Sequence, residues 1–439
     1  MTPTVDHGSP WQPSGAEGRS VLHVVENWGS GVRAATLQFV RATPEVEHHL
    51  LRGTFRTEFV DDNETGFASI RLLPSGFFAR RRAVRRAVHE VHPDVVHAHS
   101  FYAGVLVRLT IRNRCTCRIA YSPHCFGFER RDVWLPKRLG IRLVERVLAR
   151  NTDTLAASSP REARTAARLH VHRVVSVPYA TQIPALAMFE RRNPLRVAAV
   201  GRIGAQRDPD FFRKTIDLLR VTQPDVMTCW IGDGDDTRAR HRLEKAGIHT
   251  TGWLPSFDAH RTLGAAGLYL HTARWDGFPL SILEAVELGV PVIAREVRTL
   301  RGMVATPGLT TPAAMAAAAS ALIAGGDVTR QRNLDMWRQL FAFNTIEHQA
   351  EALRAIYTTG ATAAVLRSRL LRYWEVARHA RHLVTVSEFS RGERAEVLGV
   401  DPNRFAVAPN GHQSALAAGV DAEAIVAEGD TPAPPSESG

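Results

Sequence analysis

The chain has 439 residues, 44% of them apolar, which is too long for one ordinary core and enough to fill two. Its formal charge is +11, but of 55 cations only Lys137, Lys214 and Lys245 are lysines. Arginine is spread along the chain and aromatics make up only 7%, which excludes the concentrated, aromatic-interleaved basic patch of a nucleic-acid binder.

Taken from the N-terminus, residues 1–18 are rich in Pro, Gly and Ser and are expected to be disordered, as are residues 419–439. The start lacks the apolar stretch of a secretory leader and no apolar run reaches eighteen residues. A reduced, cytoplasmic protein with four thiols (Cys115, Cys117, Cys125 and Cys229) is therefore expected. The Cys115–Cys117 spacing and the missing second pair do not fit a zinc site, even with His124 nearby.

From residue 21 onward, short apolar runs alternate with helical patterns. "VLHVVE", "VEHHLL", "DVVHAH", "RIAYSP", "TLAAS" and "VVSVP" form a first set; "RVAAVG", "MTCWIG", "LYLHT" and "VPVIA" form a second. Strands apolar throughout, alternating with helices, predict parallel sheets covered on both faces. The fold class is α/β, with two doubly wound, Rossmann-like domains at 19–183 and 195–358 and a linker over 180–194. The second set ends in a helix within "FAFNTIEHQAEALRAIY", whose apolar positions fall mostly on one face.

Three stretches carry chemistry. In "ENWGSGVRAATLQFV" a strand ends in a turn with Gly29 and Gly31 and opens a helix, a geometry that suits a phosphate and that a plain tight turn explains equally well. The third glycine of the dinucleotide fingerprint is missing, which argues against a dehydrogenase. In "AAVGRIGAQRDPDFF", Arg202 and Arg207 flank the turn after a strand, where an arginine fork reaches a pyrophosphate. In "RWDGFPLSILEAVELGVPVIA", the Gly277-Phe278-Pro279 turn puts the amides of Leu280 and Ser281 at a helix N-terminus. Asp276 lies before that turn, where it could also cap the helix. Glu284 lies about a turn into the helix between apolar residues, where a carboxylate needs a partner. The two acids can grip hydroxyl groups at opposite ends of one ligand.

In order and spacing, "GRIGAQRDPDFF", "WIGDGDD" (with Gly232), "TGWL" and "WDGFPLSILEAVELGVPVIA" resemble the second domain of the retaining glycosyltransferase family 4, which has the GT-B fold with a cleft between its domains. "VLHVVENWGSGV", "DVVHAHSFYAG", "YSPHCFGFERRD" and "ASSPREA" resemble its first domain, so the likeness covers roughly residues 20–358. The resemblance implies transfer of a sugar from a nucleoside-diphosphate sugar to an acceptor hydroxyl with retention, in polysaccharide, glycolipid or cell-envelope glycan synthesis, with no metal or other cofactor. It puts Asp276 on a hydroxyl of the donor sugar, Glu284 on the ribose, Arg202 and Arg207 on the diphosphate and His124 near the transferred sugar. Taken alone, His124 reads as a core histidine. His97 and His99 fit strand-end packing and an acceptor-cleft wall equally.

Three departures stand out. Asp276 replaces the family's glutamate and is shorter by ~1.5 Å, Arg207 replaces a lysine, and "REVRTLRGMV" supplies arginines where a Gly-Gly loop is usual. These departures, with the segment appended after residue 360, raise a catalytically silent nucleotide-binding partner subunit as a rival reading; a second rival is a membrane-surface adaptor. The latter rests on "FFARRRAVRRAVHE", 77–90, a basic amphipathic helix that suits anionic lipid or serves as an ordinary solvated face. Expected partners are the nucleotide-sugar donor, a glycan or lipid-linked acceptor, and an anionic membrane at the inner face of the plasma membrane. After residue 360, "ARHLVTVSEFSRGERAEVLGVDPNRFAVAPNG" repeats the pattern of "TDTLAASSPREARTAARLHVHRVVSVPYA". Residues 361–418 therefore read as a partial repeat of a first domain, without a second active site.

Overall fold

The computed structural model describes residues 19–53, 64–111, 117–181, 183, 192–300 and 309–357, together with two short strands at 383–385 and 405–407. Each predicted apolar run is a strand. The first seven, β1 (Ser20–Val25), β2 (Glu47–Arg52), β3 (Ser69–Leu72), β4 (Val95–His99), β5 (Arg118–Ser122), β6 (Thr154–Ala157) and β7 (Val174–Ser176), form a parallel sheet in the order β3-β2-β1-β4-β5-β6-β7. A second parallel sheet has the order β10-β9-β8-β11-β12, from β8 (Asn193–Val200), β9 (Met227–Ile231), β10 (His249–Thr250), β11 (Ala266–His271) and β12 (Val292–Ala294). In each sheet the winding reverses between the first strand and the fourth. Ligands of such sheets sit at that reversal, beyond the carboxyl ends of the strands.

Helices α1 (Ser30–Ala42), α2 (Phe77–Val91), α3 (Ser100–Thr110), α4 (Leu135–Leu148) and α5 (Pro160–Arg168) cover the first sheet. Helices α6 (Pro209–Thr222), α7 (Thr237–Lys245), α8 (Ser256–Gly264), α9 (Leu280–Glu287), α10 (Pro312–Ala324) and α11 (Gly326–Leu340) cover the second. Several starts are written in the sequence: Ser159, Asp208 and Thr311 each cap a helix whose first residue is a proline. Helix α12 (Ile346–Tyr357) leaves the second sheet and packs on the first domain. There Arg118 and Arg173 donate to the carbonyls of Tyr357 (2.8 Å) and Ala355 (3.0 Å), and Arg354 pairs with Glu45 (2.7 Å).

Helix α4 is held by a buried charge cluster. Arg108 donates to Glu145 (3.0 Å) and stacks 4.0 Å over the Tyr121 ring, while the Tyr121 hydroxyl donates to the other Glu145 oxygen (2.7 Å). Glu145→Leu would strand the Arg108 charge in the core, and a loss of about 3–5 kcal/mol in denaturant unfolding is expected. A loss under ~1 kcal/mol would mean that Arg108 finds another partner or water.

Cys117 is disulfide-bonded, with its partner outside the described residues, so the expectation of four thiols is corrected there; Cys125 and Cys229 are free. Of the partial repeat, β13 (Leu383–Thr385) and β14 (Phe405–Val407) pair in parallel with Leu383 opposite Phe405, as β6 and β7 pair with Leu155 opposite Val174. The remainder of 361–418, and the two termini read as disordered, lie outside the described residues. No described helix is long and apolar enough to cross a membrane.

Candidate active site

The loop after β8 carries Arg202 and Arg207, and the loop after β11 carries Asp276, so the two cross the winding reversal of the second sheet and meet. Arg207 Nη1 lies 2.5 Å from Asp276 Oδ2, and Asp276 is 8% exposed. Burial works against the Arg207 charge, but Asp276 and Tyr269 more than offset it and its pKa is raised. Arg202 is exposed and has no partner among the described residues. Gly201 and Gly232 both have positive φ, 128° and 125°, and a Cβ on Gly232 would sit 2.6 Å from the Gly201 carbonyl oxygen. These two glycines let the strand ends close up beneath the arginine loop.

Glu284 projects from α9 toward His260 of α8, at 3.4 Å. At the start of α9 the Leu280 amide already donates to the Phe278 carbonyl (3.0 Å), which leaves the Ser281 amide open to a ligand. Both amides had been expected to be available. Gly277 has a reason other than phosphate: a Cβ there would lie 2.0 Å from the carbonyl oxygen of His124. The second domain therefore meets the first backbone to backbone, with Phe278 edge-on to Tyr179 (5.4 Å between ring centroids). In the first domain Gly29 is a buried helix cap with an extended φ of −161°, and Gly31 lies in the first turn of α1, where an added Cβ would meet nothing within 4 Å.

His124 is not free to meet a sugar through its ring nitrogens. Carbonyls only accept, so Nε2 of His48, 3.0 Å from the Thr43 carbonyl, carries the proton. His48 Nδ1 then accepts from His23 Nε2 (3.0 Å) and His23 Nδ1 from His99 Nε2 (3.0 Å). His99 Nδ1 accepts from His124 Nε2 (2.9 Å), and the Tyr179 hydroxyl donates to His124 Nδ1. One backbone carbonyl thus sets the tautomer of four neutral rings. His97 stands beside the row, bonded to Tyr357 (2.9 Å) and Ser122 (2.8 Å). The nitrogens of His23, His97 and His99 lie within 4.8 Å of one another, a spacing that a metal could use. Each of these nitrogens already has a protein partner that a metal would have to displace.

With this geometry in hand, comparison with known proteins is direct. Residues 15–180 match the model of the glycosyl transferase 4-like domain, and residues 194–325 match that of the glycosyl transferases group 1. The chain carries a glycosyl transferase 4-like domain followed by a glycosyl transferases group 1 domain. An uncharacterized 41.2 kDa protein in the cps region of Klebsiella pneumoniae is 25% identical over 308 residues, covering 66% of this chain and 84% of that protein. The UDP-Gal:alpha-D-GlcNAc-diphosphoundecaprenol alpha-1,3-galactosyltransferase of Escherichia coli is 25% identical over 231 residues, covering 46% of this chain and 58% of that enzyme. Among solved structures, Anabaena HepE in complex with UDP-glucose has a TM-score of 0.60 at 14% identity, covering 80% of this chain and 99% of that one. Sucrose-phosphate synthase from Thermosynechococcus elongatus has a TM-score of 0.57 at 16% identity, covering 82% and 100%. At these identities the structural likeness carries the fold alone, the two Rossmann-like domains of GT-B.

The transferase also places residues at the site that the sequence reading missed. His271 is fully buried; its Nδ1 meets the Tyr269 hydroxyl (2.9 Å), which meets Ser281 (2.7 Å), while its Nε2 points at Asp276 (3.7 Å) with no hydrogen bond. Burial first, then Arg207, lowers the His271 pKa to about 3, with Asp276 opposing. The signal was present: Tyr269 and His271 are two apart on a strand and so share a face. His260 Nδ1 is likewise buried without a partner.

Proposed function

We propose that the transferase moves a sugar from a uridine-diphosphate sugar to an acceptor hydroxyl during assembly of a cell-envelope glycan, with retention at the anomeric carbon. The observation that carries this reading is the Arg207–Asp276 pair at the winding reversal beside the N-terminus of α9, next to the unpaired Arg202. An arriving diphosphate gives Arg207 a second anion, and with Arg202 and the Ser281 amide it supplies the charge stabilisation that the leaving group needs. Asp276 is then released to a sugar hydroxyl, and Glu284 takes the ribose. No metal is needed for this charge balance. The named relatives support the substrate class: HepE is complexed with UDP-glucose, and the Escherichia coli relative is named for a UDP-galactose donor and a diphosphoundecaprenol-linked acceptor. Retention rests on the family's motif pattern and is read from the product's anomeric coupling.

A thermal-shift panel of nucleoside-diphosphate sugars tests the reading. The correct donor at a hundred times its Kd should add about 2.7 kcal/mol to stability. Glu284→Ala, which removes a charge-assisted hydrogen bond of roughly 1.5–3 kcal/mol, should weaken that donor at least tenfold. No shift with any nucleotide would overturn the proposal.

A further inference from the structure

Helix α4 is built the wrong way round for a helix on a soluble surface. Its charged Glu145 is buried, while Leu135, Leu139, Leu143 and Val147, spaced every four residues, are 58–62% exposed, and Trp134 at its head is 68% exposed. Residues four apart lie on one helix face, and Glu145, two residues beyond Leu143, points about 200° away. The apolar row therefore faces outward because Arg108 and Tyr121 hold the opposite side in the core. Arg138, Arg142 and Arg146 form a second row one residue behind the first, with Lys137 beside them; Arg142, Arg146 and Lys137 are exposed.

The other candidate surface is weaker. Helix α2, basic and amphipathic in sequence, turns Val84 and Ala87 into the core, and only Phe77 and Phe78 at its start expose large apolar groups.

We propose that α4 is the surface by which the transferase docks on an anionic lipid bilayer. An exposed apolar row flanked by cations matches the headgroup boundary, where apolar side chains enter and arginines meet lipid phosphates. The loop leading into α4 strengthens the choice of a bilayer over another protein. It brings Arg131 to a crevice shared with Arg274 and Arg298 of the second domain, beside Asp276. The acids of that crevice are already taken: Glu129 by Arg161 (3.2 Å) and Asp276 by Arg207. Arg131 and Arg298 have no partner among the described residues, and Arg274 comes no closer than 3.9 Å to Asp208, which Arg295 already holds at 2.7 Å. Burial and the neighbouring Arg298, Arg295 and Arg274 all lower the Arg131 pKa. Cations that outnumber the acids at the cleft, next to the docking helix, suit a phosphate-bearing lipid acceptor; this last clause rests on the proposed transfer reaction, whereas docking does not.

Sedimentation with phosphatidylcholine vesicles, with and without phosphatidylglycerol, tests docking without any donor. The full chain should bind the anionic vesicles, less so as salt rises, and the neutral ones at least tenfold less. Leu139→Glu combined with Leu143→Glu, both exposed positions, should reduce binding at least tenfold while leaving the unfolding temperature and the UDP thermal shift unchanged. Phe78→Glu on α2 should leave binding within twofold. The proposal is overturned by a full chain that ignores anionic vesicles, by an α4 variant that binds like the parent, or by loss with Phe78→Glu in its place. A chain that instead self-associates through α4, becoming monomeric in the double variant without vesicle binding, would also overturn it and assign the row to a second copy.

Discussion

Lowering the pH from 7.5 to 5.5 is expected to unfold the transferase. His23, His48, His97, His99 and His124 are kept neutral in the fold: burial pushes His48 down to about 4 and His97 and His124 to about 3, and lowers His23 and His99 well below their usual value. A depressed folded pKa means that stability is complete above the unfolded value of about 6.5 and is lost as pH falls from there toward 4 and 3. Each ring that takes a proton only when unfolded costs about 1.4 kcal/mol by pH 5.5. Five rings cost about 7 kcal/mol, comparable to the whole stability of an ordinary domain. The hydrogen-bond chain sharpens the effect, because each link holds one proton and an added one sets donor against donor. Urea midpoints measured across this range should fall steeply, whereas a flat profile would show that the rings are hydrated or charged in the fold.

Gly277→Ala is expected to lower transfer at least 100-fold while leaving the secondary structure intact. The added carbon would lie 2.0 Å from the His124 carbonyl oxygen and 2.5 Å from its carbon, and both atoms are backbone. The conflict is relieved only by moving the two domains apart. A shift of about 1 Å between a donor held by one domain and an acceptor held by the other costs on the order of 10²-fold in rate. Full activity in the variant would mean that transfer occurs in a more open arrangement than the one described.

Much of the architecture was legible because each buried strand is a short, mostly apolar run set between helical patterns. The two unread strands are the exceptions: Ser69–Leu72 alternates in exposure at a sheet edge, and His249–Thr250 has two residues. The meeting of Arg207 with Asp276 was legible because loops that follow strands converge at one sheet edge. The histidine row was not. His23 lies opposite His97 and Leu50 through the register of three strands, and no single strand's sequence contains that pairing. Helix α4 shows a different limit: periodicity reveals that a helix has an apolar face, and only its neighbours decide which way that face turns. Here the Arg108–Glu145 pair turned it outward.

The return of α12 to the first domain has a mechanical consequence. The backbone passes between the halves twice, once after β7 and once between Leu340 and Ile346. A body tied at one point swivels freely; tied at two, it turns about the line through both, like a door on a pair of pins. The ties to Tyr357, Ala355 and Glu45 set the second pin. Any opening of the cleft would then trace a single arc, and closing would return Gly277 to the same place against the His124 carbonyl.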